Sequence, residues 1–190
     1  MIIIKCRNAS GHWVVYHKST GNNAFCRLDL PNGSDLGGTG VMNATSPTSS
    51  VFTVGDYSGT GSSSRNYVAY CFAPTDISKF GSYVGTGSSP NFVYLGFRPA
   101  FVILKSTTAN NWVVYDDART THNLISKSIA ADEDYAEADS GTNYGIDFLS
   151  NGFALRTTGG YMTNSNNASE GHTYIYGAWA VNPFKISRAA

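Results

Sequence analysis

The feature that most constrains the fold of this chain is an internal repeat. The tetrapeptide Trp-Val-Val-Tyr occurs twice, at residues 13–16 and 112–115. Each copy follows an apolar segment that ends in a lysine, Lys5 in the first half and Lys105 in the second, with a polar turn between. Two later elements recur in the same order, at residues 51–54 and 67–73 and again at residues 152–155 and 174–180. Chance does not account for this shared order, so the sequence predicts two diverged copies of one structural unit.

The repeated elements are short apolar runs bounded by Gly, Asn, Ser and Pro, a pattern typical of strands and turns. We predict an all-β, antiparallel sandwich or jelly-roll-like fold. The predicted strands are residues 2–5, 13–17, 25–28, 51–54, 67–73, 81–84, 92–97, 101–105, 112–116, 147–149, 153–156 and 173–180. Gly159 and Gly160 are interpreted as turn glycines. Residues 129–138 are rich in alanine and acid without an apolar stripe, so they form either one short exposed helix or an acidic loop.

A length of 190 residues allows one good-sized core or two small packed halves. One copy alone presents an apolar face that is too small to keep it folded. We therefore predict that the two copies bury these faces against each other. The expected domain is a single module over residues 1–190, built of repeats at about 1–79 and 80–190 that are related by a pseudo-twofold axis.

The two copies differ where they begin. Residues 92–99 precede the apolar strand of the second copy, whereas the first copy starts directly at Met1. An unpaired sheet edge at that place would promote association with another chain. The sequence therefore predicts that the chain is part of a longer protein or that another subunit covers this edge.

The composition excludes some classes of partner. Charged residues make up only 14% of the chain, and 13 Lys and Arg residues balance 13 Asp and Glu residues. So weak a net field gives no electrostatic basis for binding nucleic acid or an anionic membrane. The opening apolar run reaches Lys5 too early for a signal-peptide core or a membrane span.

The three cysteines follow no Cys-x-x-Cys spacing, so we expect buried free thiols rather than a disulfide framework or a zinc site.

Motifs for catalysis or metal binding are missing from the sequence. No Gly-x-Ser-x-Gly elbow occurs, and residues 132–139 lack the Asp-x-Asp-x-Asp-Gly pattern of a calcium loop. Asp116 and Asp117 raise the question of a glycosidase pair, but neighbouring strand residues point to opposite faces, which favours a solvated turn. The histidines are dispersed and form no metal-binding pair: His12, His17, His122 and His172. We therefore predict no catalytic residue, no metal and no cofactor.

Tryptophan supplies the candidate ligand contacts, because an indole face can stack on the apolar face of a sugar. The candidates are Trp13 and Trp112, with Asn110 and Asn111 beside Trp112 to bind hydroxyl groups; Trp179 is a further tryptophan of this kind. The identical setting of Trp13 and Trp112 in the two copies favours shared core packing instead. Both interpretations stay open at this point.

Taken together, segments spanning nearly the whole chain resemble a domain of tailed-phage structural proteins, especially those of cyanophages and other aquatic phages. Singly, each of these segments is only a strand. They are residues 1–5, 13–18, 47–55, 67–73, 80–87, 92–99, 147–153 and 173–176. The resemblance implies a virion-associated module, often carried on tail-fibre or appendage proteins beside lectin-like sandwiches, and no catalytic residues accompany it.

The function implied by this resemblance is that of a non-enzymatic phage virion protein, displayed on the particle. As a tail-fibre or appendage module it would bind host-surface glycan or join virion parts. The alternative is a capsid decoration (cement) protein, and a carbohydrate depolymerase is the least favoured. The expected partners are other phage virion proteins, further copies of the chain in a homo-oligomer and host glycan, without nucleic acid or membrane insertion.

Overall fold

The computed structural model describes residues 1–36, 39–139, 144–157 and 172–181. The glycines expected to form a turn, Gly159 and Gly160, lie outside these residues. Strands account for 41% of the chain and helices for 4%, which confirms the all-β antiparallel class. The strands are β1 Ile2–Cys6, β2 Val14–Tyr16, β3 Ala24–Arg27, β4 Asp35–Leu36, β5 Tyr67–Cys71, β6 Ser78–Val84, β7 Asn91–Tyr94, β8 Pro99–Ser106, β9 Val113–Asp116, β10 Lys127–Ala130, β11 Ala138–Asp139, β12 Ile146–Leu149, β13 Gly152–Leu155 and β14 Thr173–Ala180. A 3-10 turn at Lys18–Thr20 and a short helix, α1 at Thr39–Met42, are the helical elements of the described residues.

The duplication is visible in the strand order of the sheets. The first sheet has the order β4-β3-β2-β1-β5, and the second has the order β11-β10-β9-β8-β14-β6. Each strand of the first sheet thus has a counterpart at the same place in the second, and β6 is added at one edge. A third sheet has the order β12-β13-β7. The change from the first sheet to the second falls between Cys71 and Ser78.

The inner faces of the first two sheets pack against each other. Strand residues alternate between two faces, and the inner core contains residues from one face of the first sheet and one face of the second. It consists of Val15, Cys26, Trp112 and Ile175, with Met1, Ile3, Leu28 and Ile103 at its margin. Equivalent positions such as Ile3 and Ile103 therefore pack against the same inner core, as a pseudo-twofold relation predicts. This confirms two repeats packed together.

The outer faces are covered in two different ways. The third sheet lies on the second sheet, where Val93, Phe153 and Leu155 share one core with Val102 and Leu104. Residues 39–67 lie on the first sheet and contain helix α1 but no strand in their described part until β5 begins. Their covering side chains are Val41, Met42, Phe52 and Tyr57. The first repeat thus has an irregular cover where the second has a sheet.

One predicted strand is wrong, because residues 51–54 form no strand, although they have no helix, turn or bend either. Of the two interpretations of residues 129–138, the loop holds for residues 131–137 and the helix is absent. Strands β10 and β11 at the ends of this loop were not predicted, and Ile129 of β10 pairs with Val114 in the ladder between β10 and β9. Tertiary pairing overrides the helix propensity of alanine there.

No helix in the described part of the chain is long and apolar enough to cross a membrane.

Candidate functional site

The two repeated tryptophans have the same backbone setting. The N–H of Trp13 donates to Asp29 Oδ1 at 3.0 Å, and the N–H of Trp112 donates to Asp132 Oδ1 at 3.0 Å. Their carbonyl groups accept hydrogen bonds from Leu28 N and Ala131 N at 3.0 and 2.8 Å. The two copies therefore retain one local geometry, so any difference between the indole rings comes from what surrounds them.

Trp112 is a packing residue of the inner core. Its ring is only 2% exposed, and its Nε1 donates to the carbonyl oxygen of Arg27 at 2.7 Å. The neighbouring Asn110 donates its backbone N–H to Pro31 O at 2.7 Å, and its own carbonyl accepts a hydrogen bond from Lys105 Nζ. Asn111 is half-buried. These groups join the two repeats, and the Trp112 indole has no open face for a sugar.

Trp13 is half-buried and belongs to an exposed aromatic surface. It stacks on Tyr70, with the ring centroids 6.3 Å apart and the planes at 29°. Tyr70 is 48% exposed, and Lys5 Nζ lies 5.7 Å from the centroid of the Trp13 ring. We call the group formed by Lys5, His12, Trp13, Asp29 and Tyr70 the Trp13 platform.

The rim of the platform carries charge. His12 Nδ1 and Asp29 Oδ2 are 2.9 Å apart. Partial burial alone would raise the pKa of Asp29, but hydrogen bonds from the His12 ring and the Trp13 backbone N–H outweigh burial and lower this pKa. Asp29 is therefore a carboxylate at neutral pH. The platform combines stacked aromatic faces with a fixed acceptor and a nearby ammonium group, which suits a neutral ligand with apolar faces and hydroxyl edges.

Tyr70 is the platform residue that sequence reasoning missed. It reaches Trp13 because β5 pairs with β1, which places Tyr70 opposite Ile3 on the inner face of the first sheet. Only the recurrence of residues 67–73 in the second half hinted at this pairing.

Trp179 has a different environment and meets three aromatic rings edge-on, those of Phe72, Phe80 and Phe101, at centroid distances of 5.7, 5.3 and 5.4 Å.

The acidic residues weighed for catalysis are engaged in ion pairs. Asp116 Oδ2 lies 2.6 Å from Arg119 Nε, and Asp117 Oδ2 lies 2.8 Å from Arg98 Nη1. Burial alone would raise the pKa of Asp116, but hydrogen bonds and the Arg119 charge lower it. Each carboxylate therefore has its own arginine instead of facing a shared substrate bond. The described residues contain no group of three or more His, Cys, Asp or Glu that could hold a metal ion.

Two buried side chains that donate hydrogen bonds from nitrogen, Lys105 and His17, link the repeats. Lys105 is 1% exposed, and its Nζ donates to Pro31 O at 3.0 Å and to Asn110 O. Burial lowers the pKa of this lysine, opposed by the nearby Cys26 and Asp132. The ring of His17 lies 3.2 Å from Tyr176 O of the second sheet. Since both groups bond to main-chain carbonyls across the repeat boundary, we assign them to packing rather than to ligand binding.

The cysteines do not all follow the expectation of buried thiols. Cys6 and Cys26 are buried, but Cys71 is exposed, because it lies at the end of the edge strand β5. Burial raises the pKa of the Cys26 thiol to about 11, with the Lys105 charge opposing. Cys26 is therefore a protonated and shielded thiol at neutral pH.

We expect a single thiol per native chain to react rapidly with a thiol-specific dye at pH 8, and this thiol to be Cys71. Reactivity requires an accessible thiolate, which Cys6 and Cys26 cannot offer while they are buried. The measurement is the dye stoichiometry before and after addition of urea, with Cys71→Ser as the control. Rapid labelling of the native Cys71→Ser protein would contradict this assignment.

The chain matches a known protein family. The model of the family described as “Domain of unknown function (DUF7483)” matches residues 1–183. No curated protein and no solved structure matches the chain.

Proposed function

The chain belongs to the DUF7483 family, whose description states no function, and we propose that it is a non-enzymatic phage virion protein that binds host-surface glycan at the Trp13 platform. The sequence segments that resemble tail-fibre and appendage modules of phages support the location on the particle. The platform itself supports the class of ligand.

The observation that carries the glycan proposal is the Trp13–Tyr70 stack, in which Trp13 is half-buried and Tyr70 is exposed. Both side chains project from the same sheet face, since Tyr70 lies opposite Ile3 and Trp13 precedes β2. Large aromatic side chains usually bury their surface inside small β domains, so a stack of a half-buried Trp13 and an exposed Tyr70 beside the strands is typical of a binding surface. Its equivalent in the second repeat, Trp112, is 2% exposed.

The charges around the stack favour an uncharged or weakly charged sugar. Lys5 contributes one positive group, and Asp29 contributes one negative group that His12 holds at 2.9 Å. These groups can bond to hydroxyls on the edges of a pyranose ring while the aromatic faces cover its apolar side. A single platform of this size binds weakly. Several copies on one particle would raise the overall avidity by multivalency, which agrees with the expected homo-oligomer.

We expect Trp13→Ala to weaken glycan binding by at least about tenfold, which corresponds to roughly 1.4 kcal/mol, because it removes one face of the stack. The measurement is a glycan array followed by titration of the best ligand against the native oligomer. Tyr135→Ala is the matched control, since Tyr135 is 69% exposed and is not part of the platform. Equal binding by wild-type protein and the Trp13 variant would refute the site, and absence of any glycan ligand would refute the class of function.

A capsid decoration protein is the second candidate. The edge strand β7 exposes two aromatic side chains, Phe92 at 45% and Tyr94 at 61%, and such a surface suits contacts with other particle proteins. Its copy number on the purified virion separates the two functions, because hundreds of copies on the head lattice indicate decoration and a few copies at the tail indicate adsorption. A depolymerase has the least support, since Asp116 and Asp117 bond to separate arginines.

A further inference from the structure

The two repeats differ in how their outer covers are paired. In the second repeat, β13 lies at the centre of the third sheet and pairs with β12 on one side and β7 on the other. The sequence repeat aligns residues 51–54 with β13, so that Phe52 corresponds to Phe153. Both phenylalanines pack onto the outer core of their own repeat. Residues 51–54 nevertheless have no strand partner among the described residues.

The backbone of residues 52–54 is unpaired in the described part of the chain. Val51 is tied to Thr48 through its N–H and C=O groups. The backbone groups of Phe52, Thr53 and Val54 form no hydrogen bond with other residues in the described part of the chain. The segment runs without a turn or bend, and Val51 and Val54 are 64% and 37% exposed. It is therefore an apolar, straight and unpaired stretch at the surface.

Two open clefts flank this segment, and Phe52 lines both. One has a volume of about 500 Å³ and reaches Ile2, Tyr16 and Cys71. The other has a volume of about 470 Å³ and reaches Ile4 and Ala69. In the second repeat, the corresponding outer core is completed by Val93 of β7 and by Leu95, which are 7% and 5% exposed. In the first repeat, two open clefts lie beside Phe52 on the outer face instead.

From this difference we infer that residues 51–54 accept a β-strand from a partner protein, in the way that β13 accepts β7. The partner segment is extended, with apolar side chains at alternate positions that enter the two clefts as Val93 and Leu95 enter the outer core. Main-chain hydrogen bonds would supply affinity and the clefts would select the side chains. The charged residues that line the described clefts are Lys18 and Arg65, so acidic residues flanking the segment fit as well.

A second copy of this chain is not the chosen occupant. Its own strand of this type, β7, is already paired with β13 through Val93 opposite Phe153. Offering β7 to a neighbour would open the outer core of the donor and expose Val93. We therefore assign this surface to a partner polypeptide of the chemistry stated above, and the surface is separate from the Trp13 platform on the inner face of the same sheet.

The test uses as the probe a synthetic peptide with the sequence of residues 91–97, flanked at each end by glutamate. We expect the full-length protein to bind it and the bound peptide to slow maleimide labelling of Cys71, which lines the larger cleft. Thr53→Pro removes a backbone N–H and should weaken binding at least about tenfold, whereas the matched control Thr53→Ala keeps the backbone and should bind normally. Should Thr53→Pro not fold, a peptide N-methylated at alternate residues gives the same test on wild-type protein.

Three results would overturn the inference. The first is absence of peptide binding with unchanged Cys71 labelling. The second is binding that survives both Thr53→Pro and N-methylation of the peptide. The third is self-association of the protein that Thr53→Pro abolishes while the peptide fails to bind, because the occupant would then be a second copy. None of these measurements involves glycan, so they are independent of the function proposed for the Trp13 platform.

Discussion

Replacing Trp112 by alanine is expected to lower the free energy of unfolding by about 3–5 kcal/mol, the usual cost of removing a fully buried large aromatic side chain. The ring fills the inner core between the two sheets together with Val15, Cys26 and Ile175. Its removal leaves a cavity and also deprives the Arg27 carbonyl oxygen of its hydrogen bond from Nε1. For a chain of this size the melting temperature should fall by roughly 10 °C. Urea unfolding at pH 7 is the direct measurement.

Two matched variants separate the causes of this loss. Trp13→Ala removes the same residue type from the equivalent position, but its half-buried ring should cost about 1 kcal/mol or less in stability, as surface substitutions usually do. Trp112→Phe keeps most of the ring volume and removes the donor to Arg27, so we expect a loss of about 1–3 kcal/mol. If Trp112→Ala proves no more destabilising than Trp13→Ala, the inner core does not hold the repeats together in the way described above.

The sequence predicted the architecture because the repeat is encoded in apolar strands of matching order. Residues 2–5 and 102–105 alternate between two faces, and burying the two equivalent faces against each other requires no further information. Strand β10 escaped prediction because Ile129 gains its conformation from pairing with Val114, a long-range contact that local propensity does not contain. Residues 51–54 were predicted as a strand and form none, since a β-branched and aromatic run forms a strand only where a partner strand is present.

The candidate site could be predicted only in part. Trp13 and Trp112 are both followed by Val-Val-Tyr, and their backbone N–H groups donate the same hydrogen bonds to Asp29 and Asp132. Their different exposure depends on what the opposing sheet and β5 place around each ring. The contribution of Tyr70 depends on the register of β5 against β1, which no local pattern states. A repeat thus predicts shared geometry well and predicts divergence of function poorly.

The two repeats have diverged in how fully their surfaces are covered. The second repeat has a regular three-stranded cover and contributes Trp112 and Lys105 to the buried contact between the halves. The first repeat carries the Trp13 platform on one face of its sheet and the open clefts beside residues 51–54 on the other. We infer that the second copy has been retained for stability and the first for recognition.

Stability should fall as the pH drops below about 6.5, because His17 is buried in its neutral form. The ring is 1% exposed, its Nδ1 accepts a hydrogen bond from Ser19 N at 3.1 Å, and its Nε2 donates to Tyr176 O at 3.2 Å. Burial lowers the pKa of His17 from 6.5 to about 4, although the Tyr176 carbonyl opposes the shift. Between these values the unfolded chain binds a proton that the folded chain does not. The resulting loss of stability reaches roughly 3 kcal/mol near pH 4 and vanishes above pH 7.

His17→Gln tests this assignment, because glutamine can still donate to Tyr176 O but does not titrate. The free energy of unfolding of both proteins is measured in urea between pH 7.5 and pH 4.5. The variant is less stable than the wild type at pH 7, and its stability should decline much less as the pH falls. Asp29 and Asp116, whose pKa values are lowered in the fold, act at lower pH and equally in both proteins. Parallel pH curves for the two proteins would show that His17 is not the group that couples protonation to the contact between the repeats.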